Sequence, residues 1–270
     1  MNAIFVGLLG WGTVALALVL FAILLLAAEV GYRFGRWSGS RRGRDQHDHA
    51  VTATLTSGMV GLLAFILGLT VNFAQSRYEA RRELVVTEAN AIGTAWLRAR
   101  LVGGPEGEAI AGVIRAYAET RLDFTLAPIN GPLDALNART AEEAEAIWGL
   151  ASKAAAKAPT PITATLITAL NQMFDSAQAQ RFAFLGEAPR LMLDLMALGS
   201  ILSIGALGYE MGVRGRRQLV LSCLLLLMWT GAMYVTVDLS RPRLGLERVD
   251  VRPLQWTIQE MDRTTSAAHP

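Results

Sequence analysis

Four long apolar runs constrain this chain more than any other feature of its sequence. A helix needs about 20 apolar residues to cross the roughly 30 Å hydrocarbon core of a bilayer. Four runs reach that length, at residues 4–28, 51–74, 191–211 and 219–237. Hydrophobic residues make up 52% of the chain and concentrate in these runs, whereas the middle of the chain is polar. The pattern predicts an all-α integral membrane protein with four transmembrane helices.

The first run is interpreted as a retained span and not as a cleaved secretion signal. A secretion signal begins with positive charges and has a short apolar core followed by a small-residue cleavage site. This chain begins MNAIF, without a basic residue, and arginines follow the run instead.

The order of the runs predicts two transmembrane hairpins with a helical-bundle domain between helices two and three. The expected boundaries are 1–75 for the first hairpin, 76–189 for the extramembrane bundle, 190–240 for the second hairpin and 241–270 for a short tail with a disordered end. Two prolines after residue 240 are expected to end the fourth span.

Helix-start and helix-stop signals divide the polar middle into four helices. The second span is expected to continue without a break to Gly103-Gly104-Pro105, and a second helix follows over 106–126. Thr140 with Glu143 three residues later predicts a capping box that opens a third helix. Thr160 followed by Pro161 predicts the start of a fourth. The fourth helix carries one apolar stripe, formed by Leu166, Leu170, Met173, Ala177 and Phe184.

The arginine distribution predicts the orientation in the membrane. Eight arginines lie in the two short loops, at positions 33, 36, 41, 42 and 44 and at 214, 216 and 217. Short basic loops stay in the cytoplasm. We therefore expect a multi-pass protein of the bacterial inner membrane with its helical domain on the outer face. Arg77, Arg81 and Arg82 directly after the second span argue against this, but long segments translocate largely regardless of charge.

Small and polar residues form a stripe on the second span. Their spacings of three and four place them on one helix face, and they are Gly58, Gly61, Phe65, Gly68, Asn72 and Gln75. Small residues allow helices to approach closely in lipid, so one interpretation is a seam within a single protomer. The other is a pore-lining face in a symmetric oligomer, with Phe65 as a hydrophobic constriction and the amides at its wet end. The stripe continues through Glu79, Arg82, Val86 and Ala89.

The residues after the stripe are candidates for a pore mouth or for contacts at the membrane interface. They are Arg77, Glu79, Arg81 and Arg82. A ring of arginines would concentrate anions, whereas arginine and tyrosine also anchor spans at the interface. Neighbouring glutamates at helical spacing dilute the positive field.

Composition and motifs exclude several classes of function. The single cysteine, Cys223, allows no internal disulfide. No phosphate-binding loop, nucleophile elbow or HExxH is present, and no aromatic–basic patch suggests nucleic-acid binding. The string DQHDH at residues 45–49 follows closely on five arginines and is interpreted as a solvated loop. We expect no enzyme activity, no cofactor and no metal site.

Three segments carry a resemblance to a known family. They are SRYEARRELVVTEANAIGTAWLRARLV from Ser76, LNQMFD at residues 170–175 and DLSRPRLGLERV at residues 238–249. Together they resemble the bestrophin-like domain family of uncharacterised bacterial membrane proteins. The resemblance implies similarity to bestrophins, which are pentameric anion channels with four spans, a helical domain between spans two and three, and a pore lined by span two.

Two features depart from the bestrophin pattern. No acidic cluster resembles the bestrophin calcium clasp, because Glu142, Glu143 and Glu145 are explained as a capped helix start. Bestrophins also keep their helical domain in the cytosol, whereas the arginine loops here predict the opposite side.

Two hypotheses about function remain open. The first is a homo-oligomeric channel for small ions, slightly favouring anions, with span two lining the pore; a pentamer is implied by the resemblance alone. The alternative is a non-conducting membrane sensor or scaffold that acts through its helical domain with a partner protein. In both cases the lipid bilayer is the surrounding partner and nucleic acid is not.

Overall fold

Every regular element in the described part of the chain is an α-helix. The structure is a computed structural model that describes residues 2–41, 46–128, 130–186, 190–241, 243 and 248–268. Its helices are α1 (Asn2–Arg41), α2 (Gln46–Val102), α3 (Gly104–Leu126), α4 (Leu133–Lys157), α5 (Pro161–Leu185), α6 (Arg190–Arg214), α7 (Leu219–Ser240) and α8 (Arg252–Ala268). Helices α1, α2, α6 and α7 each contain a stretch long and apolar enough to cross a membrane. The predicted all-α class and its four apolar helices are thus confirmed.

Helix α2 is one continuous rod of 57 residues. At about 1.5 Å per residue it is nearly three times as long as a membrane span requires. Its apolar half, residues 51–74, is the candidate membrane span, and the helix continues past it without a break, as the sequence predicts. The helix ends at the predicted break, where Gly103 and Gly104 have φ angles of 71° and 62°. Residues with a Cβ rarely adopt such angles, so the two glycines permit the tight turn into α3.

The predicted start of the helix at Thr160 is confirmed, and the one at Thr140 is wrong. Thr160 caps α5 by accepting a hydrogen bond from the Thr163 amide, and Pro161 occupies the first helical position. Helix α4 already begins at Leu133, so Thr140 lies inside it. The Thr140 hydroxyl donates to the Leu136 carbonyl at 2.7 Å, which is an ordinary use of threonine within a helix. Leu-Asp-Ala-Leu-Asn-Ala before it has sufficient helix propensity to start the helix directly after Pro132.

The C-terminal segment forms helix α8, where the sequence predicted a disordered end. One face of α8 is buried through Leu254, Ile258 and Met261. These residues recur at spacings of four and three, the pattern of an amphipathic helix. Pro253 lies in the first turn of this helix, where a proline is tolerated, and the apolar face is short, so the helix had little signal in the sequence.

The described contacts divide the chain into two compact units. The membrane unit consists of Met1–Arg77 and Glu187–Glu247, and the helical unit consists of Tyr78–Gly186 and Arg248–Pro270. The helical unit therefore includes the C-terminal helix in addition to the predicted middle segment. Its core contains all five residues of the predicted α5 stripe, from Leu166 to Phe184.

In the membrane unit, α1 packs along α6, a helix of the predicted second hairpin. The contact is made by glycines on both helices: a Cβ placed on Gly31 or Gly35 would lie closer than 3.0 Å to the backbone of α6, and one on Gly208 or Gly212 equally close to the backbone of α1. We call this contact the glycine seam. A second contact joins α6 to α7, where the Trp229 indole donates to the Ser200 hydroxyl at 3.0 Å. The two-hairpin arrangement itself stays a prediction.

Candidate functional site

The predicted stripe on α2 is exposed within the membrane unit. All six residues, which we call the open face, are exposed in the single chain: Gly58, Gly61, Phe65, Gly68, Asn72 and Gln75. A Cβ built on any of the three glycines would meet no atom within 4 Å. The described part of the protomer thus offers these glycines no partner helix, and they form no seam with any described residue.

The other side of the same helical segment is buried. Leu63 and Leu67 belong to the apolar core of the membrane unit, together with residues of α1, α6 and α7. Thr70 and Ala74 continue this buried side at 4% and 3% exposure. Helix α2 thus uses one face for the protomer core and leaves the opposite face, with its three glycines, exposed.

Phe65 is the largest side chain on the open face. It is 63% exposed, and glycines lie one turn before it at Gly61 and one turn after it at Gly68. A bulky apolar side chain between small residues would make the narrowest point of any path that follows this face. Asn72 and Gln75 add amide groups near the end of the apolar segment, where unpaired amides inside hydrocarbon would cost several kcal/mol.

The four residues predicted at a pore mouth have different environments. Glu79 and Arg82 are exposed, Arg77 is half-buried, and Arg81 is only 2% exposed. Positions 81 and 82 are about 100° apart around a helix, so both cannot lie on one face. Arg81 is therefore removed from the candidate mouth, and Arg82 remains.

Beyond Arg82, the exposed stripe of α2 borders a groove in the helical unit. The groove has a volume of about 580 Å³ and is bounded by α2 residues, including Arg82 and Val86, and by α8 residues, including Arg252 and Trp256. The predicted continuation of the stripe ends at Val86, because Ala89 is 1% exposed and belongs to the core.

Asp250 limits the positive charge in this groove. Its carboxylate accepts hydrogen bonds from the Arg252 guanidinium at 2.8 and 2.9 Å. These bonds, with the backbone amide of Arg252 and the nearby charge of Arg82, lower the pKa of Asp250 to about 2. Asp250 is therefore ionised at neutral pH and offsets one of the two arginines. Its position near Arg82 could not be predicted from the sequence, since the two residues are 168 positions apart.

The helical unit contains a buried ion pair that the sequence analysis missed. Arg121 of α3 pairs with Glu88 of α2 and donates to the Gln180 amide oxygen of α5; Arg121 and Glu88 are 1% and 0% exposed. Burial raises the pKa of Glu88, against the opposing effect of Arg121. The signal was present: Arg121 occupies an inward position of α3 between Tyr117 and Phe124, where an apolar residue is expected.

Glu143 joins α3 to α4 and does not cap a helix. Its Oε1 accepts hydrogen bonds from the Thr120 hydroxyl and from Arg139 Nε, both at 3.0 Å. Glu142 and Glu145 are exposed within α4. Among the described residues no three His, Cys, Asp or Glu side chains come together as a metal site. Within the DQHDH string, Asp45 lies outside the described residues.

These features define an all-α membrane protein. It has four long apolar helices, of which α1 and α6 meet at the glycine seam and α2 is one continuous rod. Solved structures show the same fold in bacterial bestrophin homologues. A single-residue variant of the homologue from Klebsiella pneumoniae superposes with a TM-score of 0.69 at 13% identity, covering 93% of this chain and 96% of that one. A second variant gives 0.64 at 14% identity, over 90% and 96%. The structure solved by zinc phasing gives 0.61 at 13%, over 92% and 94%.

The sequence comparison identifies the family. The sequence profile of the Bestrophin-like domain matches residues 14–254. The chain belongs to the Bestrophin-like family, which confirms the resemblance noted in its sequence. A search of curated proteins finds no significant relative.

Proposed function

We propose that the chain assembles as a homo-oligomeric ion channel in which the open face of α2 lines the conducting path. The observation that carries this proposal is the exposure of the three open-face glycines, which have no neighbour within 4 Å in the described protomer. Membership of the Bestrophin-like family supports it, because the fold is shared with bestrophin homologues.

The physical argument concerns the polar side of a helix that is otherwise apolar. A face with glycines and amides gains little from lipid, which offers no hydrogen bonds and packs best against bulky apolar side chains. Water in a pore would solvate Asn72 and Gln75. Symmetric copies of Phe65 would then form a ring that closes the path by excluding water.

The charges near the end of the path support a modest preference for anions. Arg82 is exposed one turn beyond Glu79, and Asp250 offsets part of its charge. We propose that Arg82 and Glu79 contribute to the mouth. Arg77 is half-buried and lies about 140° around the helix axis from Arg82, so it is left out of the mouth. A pentamer is proposed from the resemblance, and the cytoplasmic placement of the arginine loops, with the helical unit outside, is proposed from their charge.

Current through planar bilayers tests the path. Phe65→Ala should raise single-channel conductance or open probability, because the hydrophobic constriction is removed. Phe73→Ala is the matched control: Phe73 is 54% exposed on the same helix but lies about 80° around the axis from Phe65. Equal currents in the two variants and the wild type would refute Phe65 as the constriction.

Cross-linking tests the assembly independently of current. On a Cys223→Ser background, Asn72→Cys should react with a short bis-maleimide to give a ladder of covalent oligomers in lipid vesicles. Val30→Cys, 58% exposed on α1, is the control for chance collisions. An electrically silent protein that yields no ladder would contradict the channel and leave the sensor or scaffold hypothesis.

A further inference from the structure

The membrane unit contains two cavities at the end that we propose to face the cytoplasm. Neither cavity is lined by a residue of the open face of α2. One has a volume of about 350 Å³ and lies among α1, α6 and α7, with Leu25, Leu207 and Leu225 in its wall. The other, of about 680 Å³, lies beside α6 and α7. Both cavities are lined by Leu207, Met211 and Leu225, so a single apolar ridge separates them.

Arginines stand at the rims of both cavities. Arg217 lines the first, together with Glu29 and Tyr32. Arg214 and Arg216 line the second, together with Glu210. Each cavity thus has an apolar interior inside the span and a cationic group at its polar end. This arrangement is complementary to an amphiphile, whose apolar tail would fill the interior and whose negative head would contact the cation.

Arg217 is held in place before any ligand binds. Its guanidinium lies 4.1 Å from the centre of the Tyr32 ring, and its Nη2 is 3.2 Å from Glu29 Oε1. Glu29 also accepts a hydrogen bond from Arg33 at 2.8 Å. One carboxylate is therefore shared by two arginines, and Arg217 retains donors for a further anion. A planar guanidinium binds phosphate oxygens in a bidentate manner.

Arg216 supplies a second cation beside Arg217. It is exposed, and within the described residues it makes no ion pair, whereas Arg214 is paired with Glu210 at 2.6 Å. The described charged groups around the two rims leave a surplus of three positive charges. They are the five arginines Arg33, Arg36, Arg214, Arg216 and Arg217 and the two glutamates Glu29 and Glu210. An anion at this rim would find a favourable field that a zwitterionic group would not.

We infer that this end of the membrane unit is a binding site for one anionic glycerophospholipid. Its phosphate lies between Arg216 and Arg217, and its two acyl chains lie on either side of the Leu207–Met211–Leu225 ridge. Basic pockets between transmembrane helices bind anionic headgroups, and the apolar cavity walls favour the lipid over a free phosphate. The site does not depend on the proposed conduction, and its test requires no current.

The single native cysteine provides the measurement. Cys223 is exposed and lines the first cavity. In the purified full-length protein in mild detergent, phosphatidylglycerol should slow alkylation of Cys223 by N-ethylmaleimide at least five-fold. Phosphatidylcholine with the same acyl chains, and soluble glycerol phosphate, should leave the rate unchanged. Equal protection by both lipids, or protection by glycerol phosphate alone, would overturn the inference.

Two substitutions distinguish loss of binding from loss of folding. Arg216→Gln removes a group without an ion-pair partner in the described chain and should reduce the protection at an unchanged melting temperature. Arg217→Lys should retain part of it. The control is Arg263→Gln, an arginine with a 77% exposed side chain in the helical unit. Full protection in Arg216→Gln, or the same loss in Arg263→Gln, would contradict the site.

Discussion

Two glycine-rich faces of the membrane unit have the same kind of sequence and opposite environments. In the glycine seam, Gly31 and Gly35 of α1 face α6 so closely that a Cβ would overlap backbone atoms. On the open face of α2, a Cβ on Gly58, Gly61 or Gly68 would meet nothing within 4 Å.

The difference shows what a small-residue stripe can and cannot indicate. In the seam the glycines recur every four residues, and on the open face at spacings of three and seven, so in both cases they share one helix face and predict close approach of another surface. The seam finds its partner within the chain. The three glycines of the open face meet no described atom within 4 Å, and for that reason this face is the better candidate for contact with water or with another copy.

The largest expected effect is at the seam. Gly208→Ala should destabilise the membrane unit by more than the about 1–3 kcal/mol typical of overpacking, because the new methyl group meets backbone of α1 that cannot rotate away. Gly231→Ala on α7, where a Cβ meets no atom within 4 Å, is the matched control. Thermal melting in detergent compares them, and equal melting temperatures would disprove the seam.

The core of the helical unit, which is built from large side chains, gives a second stability change with which the effect at the glycine seam can be compared. Leu170 is 0% exposed in the helical unit, and Leu170→Ala should cost about 2–5 kcal/mol through the cavity it leaves. Lys153→Ala, at an exposed position of α4, should change stability by less than about 0.5 kcal/mol. If the two variants unfold at the same denaturant concentration, the core is wrongly assigned.

The open face predicts a change of the opposite sign. Gly61→Ala should stabilise the protomer by about 0.5–1 kcal/mol, because alanine has the higher helix propensity and its methyl group has free space. The measurement is thermal melting of detergent-dispersed protomers beside Gly208→Ala. A loss of stability at Gly61 would show that a neighbour covers this face even in the single chain.

The smallest effect is expected where α8 joins α3 through charged side chains. Arg115 Nε lies 2.5 Å from Asp262 Oδ1 and lowers the pKa of Asp262 below its ordinary value of 3.8. The pair therefore stabilises the fold at pH values above 3.8, and the contribution is lost as the pH falls through the lowered pKa.

Because the Asp262 side chain is 48% exposed, the contribution should be only about 0.5 kcal/mol. Melting temperatures of wild type and Asp262→Asn, measured from neutral to acidic pH, should differ slightly at pH 7 and converge in acid. A constant difference over the whole range would show that the ion pair is not its cause.

Much of the architecture could be predicted because its signals are local. The spans follow from runs of about 20 apolar residues. The end of α2 at Gly103 and the start of α5 at Thr160 follow from residues that permit a turn or cap a helix. The start of α4 was missed because Thr140 and Glu143 have the spacing of a capping box, yet their side chains bond within the helix and to α3.

The candidate site was predictable only as a pattern. Spacing placed Gly58 to Gln75 on one face, and the structure shows that the described protomer leaves that face uncovered. Arg81 was grouped with Arg82 because they are adjacent in sequence, but adjacent residues diverge by about 100° around a helix. Asp250 could not be placed near Arg82 without knowing where α8 packs.

The sequence by itself determined the number of spans, the helical class, the long α2 rod and its glycine turn, since each depends on residues within a few turns of one another. Only the tertiary structure decided which glycines are covered, that Arg121 pairs with Glu88, and that α8 completes the helical unit. These features depend on contacts between residues far apart in the chain. Helical periodicity tells which residues share a face, but the packing of the helices decides what that face meets.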